Sequence, residues 1–265
     1  MKNLSLKSAF YFLICLIVCI SSAAVVVAQQ DRDFYQIKIY QLASPEQEVR
    51  VDHFLQTAYI PALHRAGIPK VGVFKPVGND TSKTRRIFVL IPLKSLDQLG
   101  TLEKQLDEDN TFTSDGKDYI DAPYNNVPYL RIESILLKAF PQSPHFNIPD
   151  LKSPANERIY ELRSYEGPTE KLYKNKVEMF NKGDEVGLFK KLGFNAVFYA
   201  EVISGAHMPN LMYMTSFENM ASHDQHWKSF SDDPYWKKLS ALPEYQHNVS
   251  SAVITLLHPT DYSEM

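Results

Sequence analysis

The stretch "RIYELRSY" (158–165) decides the fold. It alternates as a strand does, with successive side chains on opposite faces. Tyr160, Leu162 and Ser164 share one face, and Glu161, Arg163 and Tyr165 share the other. A similar string, "FYQIKIY" (34–40), puts Gln36, Lys38 and Tyr40 in the equivalent places. A charged strand written twice implies a duplicated unit.

The neighbouring segments repeat in the same order. After the first strand, "SPEQEVRVDHFLQTAYIPALHRAG" (44–67) predicts one helix opening at Ser44-Pro45. "KVGVFKPVG" (70–78) and "RRIFVLIPL" (85–93) read as strands, "SLDQLGTLEKQLDED" (95–109) as a helix and "ESILLKAF" (133–140) as a strand. The polar insertion "TFTSDGKDYIDAPYNNVPYL" (111–130) reads as a loop. In the second half, helix 168–193, strands 195–203 and 209–217, a helix over 218–233 stopped near Pro234, and strand 250–259 follow.

Each half is β-α-β-β-α-β, the order of a ferredoxin-like unit: a four-stranded antiparallel sheet with both helices on one face. The other face is bare and apolar, so it must meet a second sheet. The expected architecture is α+β: two ferredoxin-like units packed sheet to sheet as an intrachain α/β barrel. The expected boundaries are 34–140 and 158–260, joined by a proline-rich linker at 141–157.

The N-terminus carries Lys2 and Lys7, an apolar run and then small residues, the pattern of a signal peptide over 1–28. An uncleaved anchor is the competing reading. Cleavage predicts an exported chain, periplasmic or secreted, with no stable membrane span. Cys15 and Cys19 both fall in that leader, so the remaining chain has no thiol chemistry and no disulfide. The formal net charge is −3, and loss of the leader lysines makes it more acidic, which argues against nucleic acid as a partner.

The strand faces supply the candidate site. If the helix-covered side is the apolar one, Glu161, Arg163 and Tyr165 point into the barrel, with Lys38 and Tyr40 opposite. Glu161 and Arg163 could then be a structural ion pair at the barrel mouth. They could equally line a pocket in which Arg163 holds an anionic oxygen, Tyr165 donates a hydrogen bond and Glu201 acts as a base. His223 and His226 lie one turn apart, a spacing that can bind metal, but His223 should pack on the outer side of the sheet, so a structural role is expected. No P-loop, dinucleotide fingerprint or zinc motif occurs. No metal and no cofactor is expected.

"YELRSY" (160–165), "FSDDPYW" (230–236) after "ENMASHDQHW", and the strand pair "AVFYAEVISGAHMPNLMYMTSF" (196–217) resemble the NIPSNAP family of the dimeric α/β-barrel superfamily. The resemblance covers about residues 157–258; in the first half it rests on topology and "YQIKIY". It implies a ferredoxin-like barrel, formed by two subunits or by tandem repeats. The superfamily includes monooxygenases, isomerases and haem enzymes. His223 stands where the resemblance leads one to expect arginine.

Two functions are therefore expected as alternatives. One is a small, partly apolar, oxygen-rich molecule bound between the sheets, with cofactor-free oxygenase or isomerase chemistry. The other is a non-catalytic interaction module with a filled barrel. An open cavity lined by the named side chains separates them. Oligomerisation is open.

Overall fold

Residues 31–265 are described by the computed structural model; the expected leader lies outside them. The first half runs β1 (Phe34–Leu42), α1 (Pro45–Phe54), α2 (Ile60–Arg65), β2 (Gly72–Pro76), β3 (Arg85–Leu93), α3 (Leu96–Asp107), α4 (Asn110–Asp115), α5 (Lys117–Ile120) and β4 (Arg131–Ala139). The second runs β5 (Ile159–Glu166), α6 (Glu170–Asn181), α7 (Glu185–Lys191), β6 (Asn195–Ser204), β7 (Asn210–Phe217), α8 (Met220–Asp232), α9 (Pro234–Ser240) and β8 (Ser251–Pro259). The principal helices of both halves open on the same chemistry. The side chains of Ser44, Ser95, Thr169 and Asn219 each accept a backbone N–H three residues on, satisfying a donor that the helix itself leaves unpaired.

The eight strands close into a barrel in the order β1-β3-β2-β8-β5-β7-β6-β4. Each half contributes a four-stranded sheet, β4-β1-β3-β2 and β8-β5-β7-β6, and every pairing is antiparallel. The seams lie between halves: β2 against β8, Phe74 opposite Pro259, and β4 against β6, Lys138 opposite Glu201. Arg32–Met265 form one unit.

The inward faces fill the lumen with Tyr35, Ile37, Leu90, Tyr160, Phe198 and Met214, all buried. An eight-stranded barrel has just enough interior for its side chains. One end is closed from outside the sheets. Phe146 and Leu151 of the linker and the terminal Met265 join the lumen cluster. Asp33 anchors the linker by accepting from Phe146 N–H at 2.9 Å.

Two expectations on local structure are corrected. The helix over 44–67 is divided by a π-helical turn at Leu55–Tyr59, in which Ile60 N–H reaches back to Leu55 O. Pro61 has no N–H and its ring crowds the carbonyl four residues earlier, so a regular α-turn there is costly. The insertion is not only a loop: Asp109 caps α4 through Thr111 and Phe112 N–H. Pro234 follows directly on the expected stop, α8 ending at Asp232, and itself opens a new helix. It occupies the first turn of α9, where a missing N–H costs nothing, after Asp233 caps the Tyr235 N–H.

Candidate functional site

The strand faces are reversed relative to expectation. Tyr160 and Leu162 point into the lumen, while Glu161, Arg163 and Tyr165 point outward, under their own half's helices. Lys38 and Tyr40 do the same in the first half. The two sets therefore share no interior. The premise that failed is that the helix-covered side of this strand is the apolar one; Tyr160 and Leu162 face the lumen and the charged side lies under the helices. Charges could not be satisfied among the packed hydrocarbon of the lumen. The helix layer brings hydrogen-bonding partners to them.

Those partners are numerous in the second half. Glu161, 1% exposed, accepts from Arg163 Nε at 2.9 Å and Trp227 Nε1 at 2.6 Å. His223 Nε2 lies 3.4 Å from the same carboxylate. The Arg163 guanidinium carbon sits 3.6 Å from the Trp227 ring centroid, and Nη1 donates to Tyr165 at 3.0 Å. Tyr165 and Tyr213 hydroxyls meet at 2.9 Å. Beneath them a buried Lys176–Glu185 pair closes at 3.0 Å. Burial pushes the Glu185 carboxyl up, opposed by Lys176. Glu201 stands elsewhere on the same outer face. It accepts from Tyr173 at 3.2 Å and lies 3.7 Å from Arg32, joined to Arg163 by no hydrogen bond or ion pair among the described residues. The trio expected to hold a ligand is thus internally satisfied, and Trp227 occupies the space above Arg163.

The first half differs. Over the same strand face lies a cavity of about 570 Å³. Its one lysine is Lys38; Tyr40, Phe54, Tyr59, Phe112, Tyr119 and Tyr129 give it aromatic walls, completed by aliphatic side chains and by Glu103 and Asp107. Lys38 is half-buried and has no ion pair among the described residues. Its Nζ lies 3.4 Å from the Tyr59 hydroxyl and 4.7 Å from that ring's centroid. Burial pulls the ammonium down to about 8, opposed by Glu103 on the wall of the same cavity. Burial also pushes the Tyr40 phenol well up, helped by neighbouring tyrosines. The Tyr40 hydroxyl, beside that of Tyr119, makes no hydrogen bond of normal geometry.

The roof of this cavity comes from the insertion. Tyr119 on α5 stacks on Phe54 with centroids 3.7 Å apart and planes within 7°. Tyr129 meets Tyr40 edge-on at 6.1 Å. Arg50 of α1 clamps the insertion, donating to Asp118 Oδ2 at 2.6 Å and to Asn126 O at 2.9 Å. Tyr59 is delivered by the π-turn. Sequence reasoning missed these aromatics; the only signal was three tyrosines within a polar insertion. Among the described residues, no three side chains are grouped to hold a metal ion, and no helix is long and apolar enough to cross a membrane.

Residues 160–264 match the NIPSNAP family. No curated protein matches the chain. Among solved structures, a proposed monooxygenase from Fusobacterium nucleatum subsp. nucleatum ATCC 25586 is 7% identical, with TM-score 0.55, over 87% of this chain and 93% of that one. A proposed monooxygenase from Lactobacillus acidophilus NCFM is 12% identical, with TM-score 0.51, over 86% and 94%. An anthrone oxidase-like protein is 10% identical, with TM-score 0.50, over 87% and 92%. At these identities the likeness is one of fold, the dimeric α/β barrel. The second repeat is a NIPSNAP-family domain.

Proposed function

From a chain whose second repeat is a NIPSNAP-family domain, we propose that the first repeat holds the functional pocket. It binds a small aromatic molecule bearing an acidic hydroxyl or an enolisable carbonyl. The supporting observation is Lys38: a cation without an ion pair, set among aromatic rings in a cavity of about 570 Å³. That volume suits two or three fused rings, and rings favour aromatic walls. A lysine whose pKa is near 8 is poised as a base at neutral to mildly alkaline pH.

The chemistry follows from that placement. Neutral Lys38 Nζ takes a proton from the ligand's O–H or activated C–H. The electron pair stays on the ligand as phenolate or enolate, held by the new ammonium. Reprotonation at carbon gives isomerisation. With dioxygen as oxidant, the same anion is the species that undergoes cofactor-free oxygenation. The monooxygenase descriptions of proteins with this fold make oxygenation the more attractive branch, by analogy of fold alone.

Calorimetric titration with 1-naphthol tests the binding reading. The expected result is saturable binding that weakens at least about tenfold in Lys38→Met. Equal binding by wild type and Lys38→Met, or no binding to either, overturns it. Dioxygen uptake with anthrone then tests oxygenation; a flat electrode trace with protein that binds anthrone removes that branch.

A further inference from the structure

The two ends of the barrel are unlike. One is closed by Phe146, Leu151 and Met265. At the other, the lumen opens into a separate cavity of about 160 Å³. Its floor is apolar, made by Ile39, Phe88, Ile135, Leu162 and Met212. Both halves contribute to its rim, Arg86 and Glu133 from the first and Ser164, Glu166, His207 and Asn210 from the second.

The rim holds groups that the protein itself does not satisfy. Arg86 and Glu133 stand on β3 and β4, the strands flanking β1. Ile39 of β1 is opposite both Phe88 and Glu133, and Gln41 is opposite Arg86. Neither side chain has an ion-pair partner among the described residues. The Arg86 guanidinium lies over the Phe88 ring, 5.4 Å from its centroid. Glu166 is engaged, 3.3 Å from His207 Nδ1. Asn210, 3% exposed, donates Nδ2–H to Ser164 at 2.9 Å. Its Oδ1 is buried and meets no donor. A buried amide oxygen without a partner is costly and rare in native proteins.

We infer that this mouth binds a small zwitterion of the α-amino-acid type with an apolar side chain. The carboxylate takes Arg86, which offers a fixed fork of donors for it. The ammonium takes Glu133 and donates to Asn210 Oδ1. The side chain enters the apolar floor, whose volume admits one of about leucine size. One free cation and one free anion across a shared apolar pit favour a ligand carrying both charges. A simple carboxylate would leave Glu133 unpaired beside it, and a simple amine would leave Arg86 unpaired. This site lies inside the barrel, on the opposite face of β1 from Lys38, and stands independently of the function proposed above.

Calorimetry or saturation-transfer NMR with the full chain and L-leucine tests it, with 4-methylpentanoate and isopentylamine as probes lacking one charge. Leucine should bind saturably, and each probe should bind at least about tenfold more weakly. Arg86→Gln and Glu133→Gln should each weaken leucine by about tenfold or more, while Lys38→Met leaves leucine unchanged. Among the described residues neither rim side chain has an ion-pair partner, so both variants should fold with nearly unchanged melting temperature. Absence of saturable leucine binding overturns the inference. So does leucine binding that both rim variants retain, or equal binding of either singly charged probe.

Discussion

Arg163 lies flat against Trp227, its guanidinium carbon 3.6 Å from the ring centroid, whereas Lys38, its counterpart on the other opening strand, faces an open cavity. Each residue projects from the outer face of a first strand beneath helices. In the second repeat α8 reaches down with an indole and fills the space. In the first, the helices stand off, and aromatic side chains of the insertion form a roof instead.

Trp227 both stacks on Arg163 and donates to buried Glu161. Trp227→Phe keeps an aromatic face and removes the donor. It should destabilise the fold by about 1–3 kcal/mol, the usual range for orphaning a buried polar group. Urea denaturation measures this; an unchanged midpoint would show that Glu161 finds another donor, His223 being nearest.

Arg163→Met should be far worse. It strands Glu161, 1% exposed, without its cation. Breaking a buried pair from one side costs about 3–5 kcal/mol. The double variant Arg163→Met with Glu161→Gln should recover part of that loss, and chemical denaturation of all three proteins gives the coupling.

Lys38→Met has the opposite sign. Burial lowers the Lys38 pKa from 10.5 to about 8, so between those values the unfolded chain binds the additional proton. Stability then rises with pH through this window. Wild type should gain on the order of 2 kcal/mol relative to Lys38→Met between pH 8 and pH 10. Melting temperatures of both proteins across that range check it; parallel profiles would mean an ordinary, solvated lysine. Above pH 10 the buried tyrosines act in reverse, because their raised pKa values make the folded state hold protons longer.

Gly116 joins α4 to α5 in the roof. A Cβ there would lie 2.8 Å from Phe112 O and 3.2 Å from the Phe54 ring. Backbone cannot yield as a side-chain tip can, so Gly116→Ala should displace Tyr119 and cost about 1–3 kcal/mol. Hydrogen exchange should speed up over 110–130 and stay unchanged over β5–β8.

The repeat, its element order and the closure of two sheets on each other were legible in the residues. Alternation marked the strands, and paired sheets need partners for their bare faces. Alternation separated a polar from a more apolar face of "YELRSY" but could not say which one turns inward, because both are covered, one by the lumen and one by helices. That choice is made by Trp227, His223 and Tyr213, which lie close to Glu161 or Tyr165 only after folding. Lys38 and Tyr40, named from the sequence, line the first-half cavity, but the neighbours that line it with them, Tyr59, Tyr119 and Tyr129, come from a π-turn and a polar insertion. Neither has a periodic signature. Pro61 was visible in the sequence, yet proline alone does not distinguish a kink, a break and a widened turn.

The seams between β2 and β8 and between β4 and β6 join two halves written in a single polypeptide. Were the same barrel built from two identical subunits, any side chain that opened a hollow under one set of helices would open its twin under the other. Any plug would likewise close both. Covalent fusion lifts that obligation. One half can be devoted to rigidity, with an indole stacked on a guanidinium, while the other keeps room for a guest.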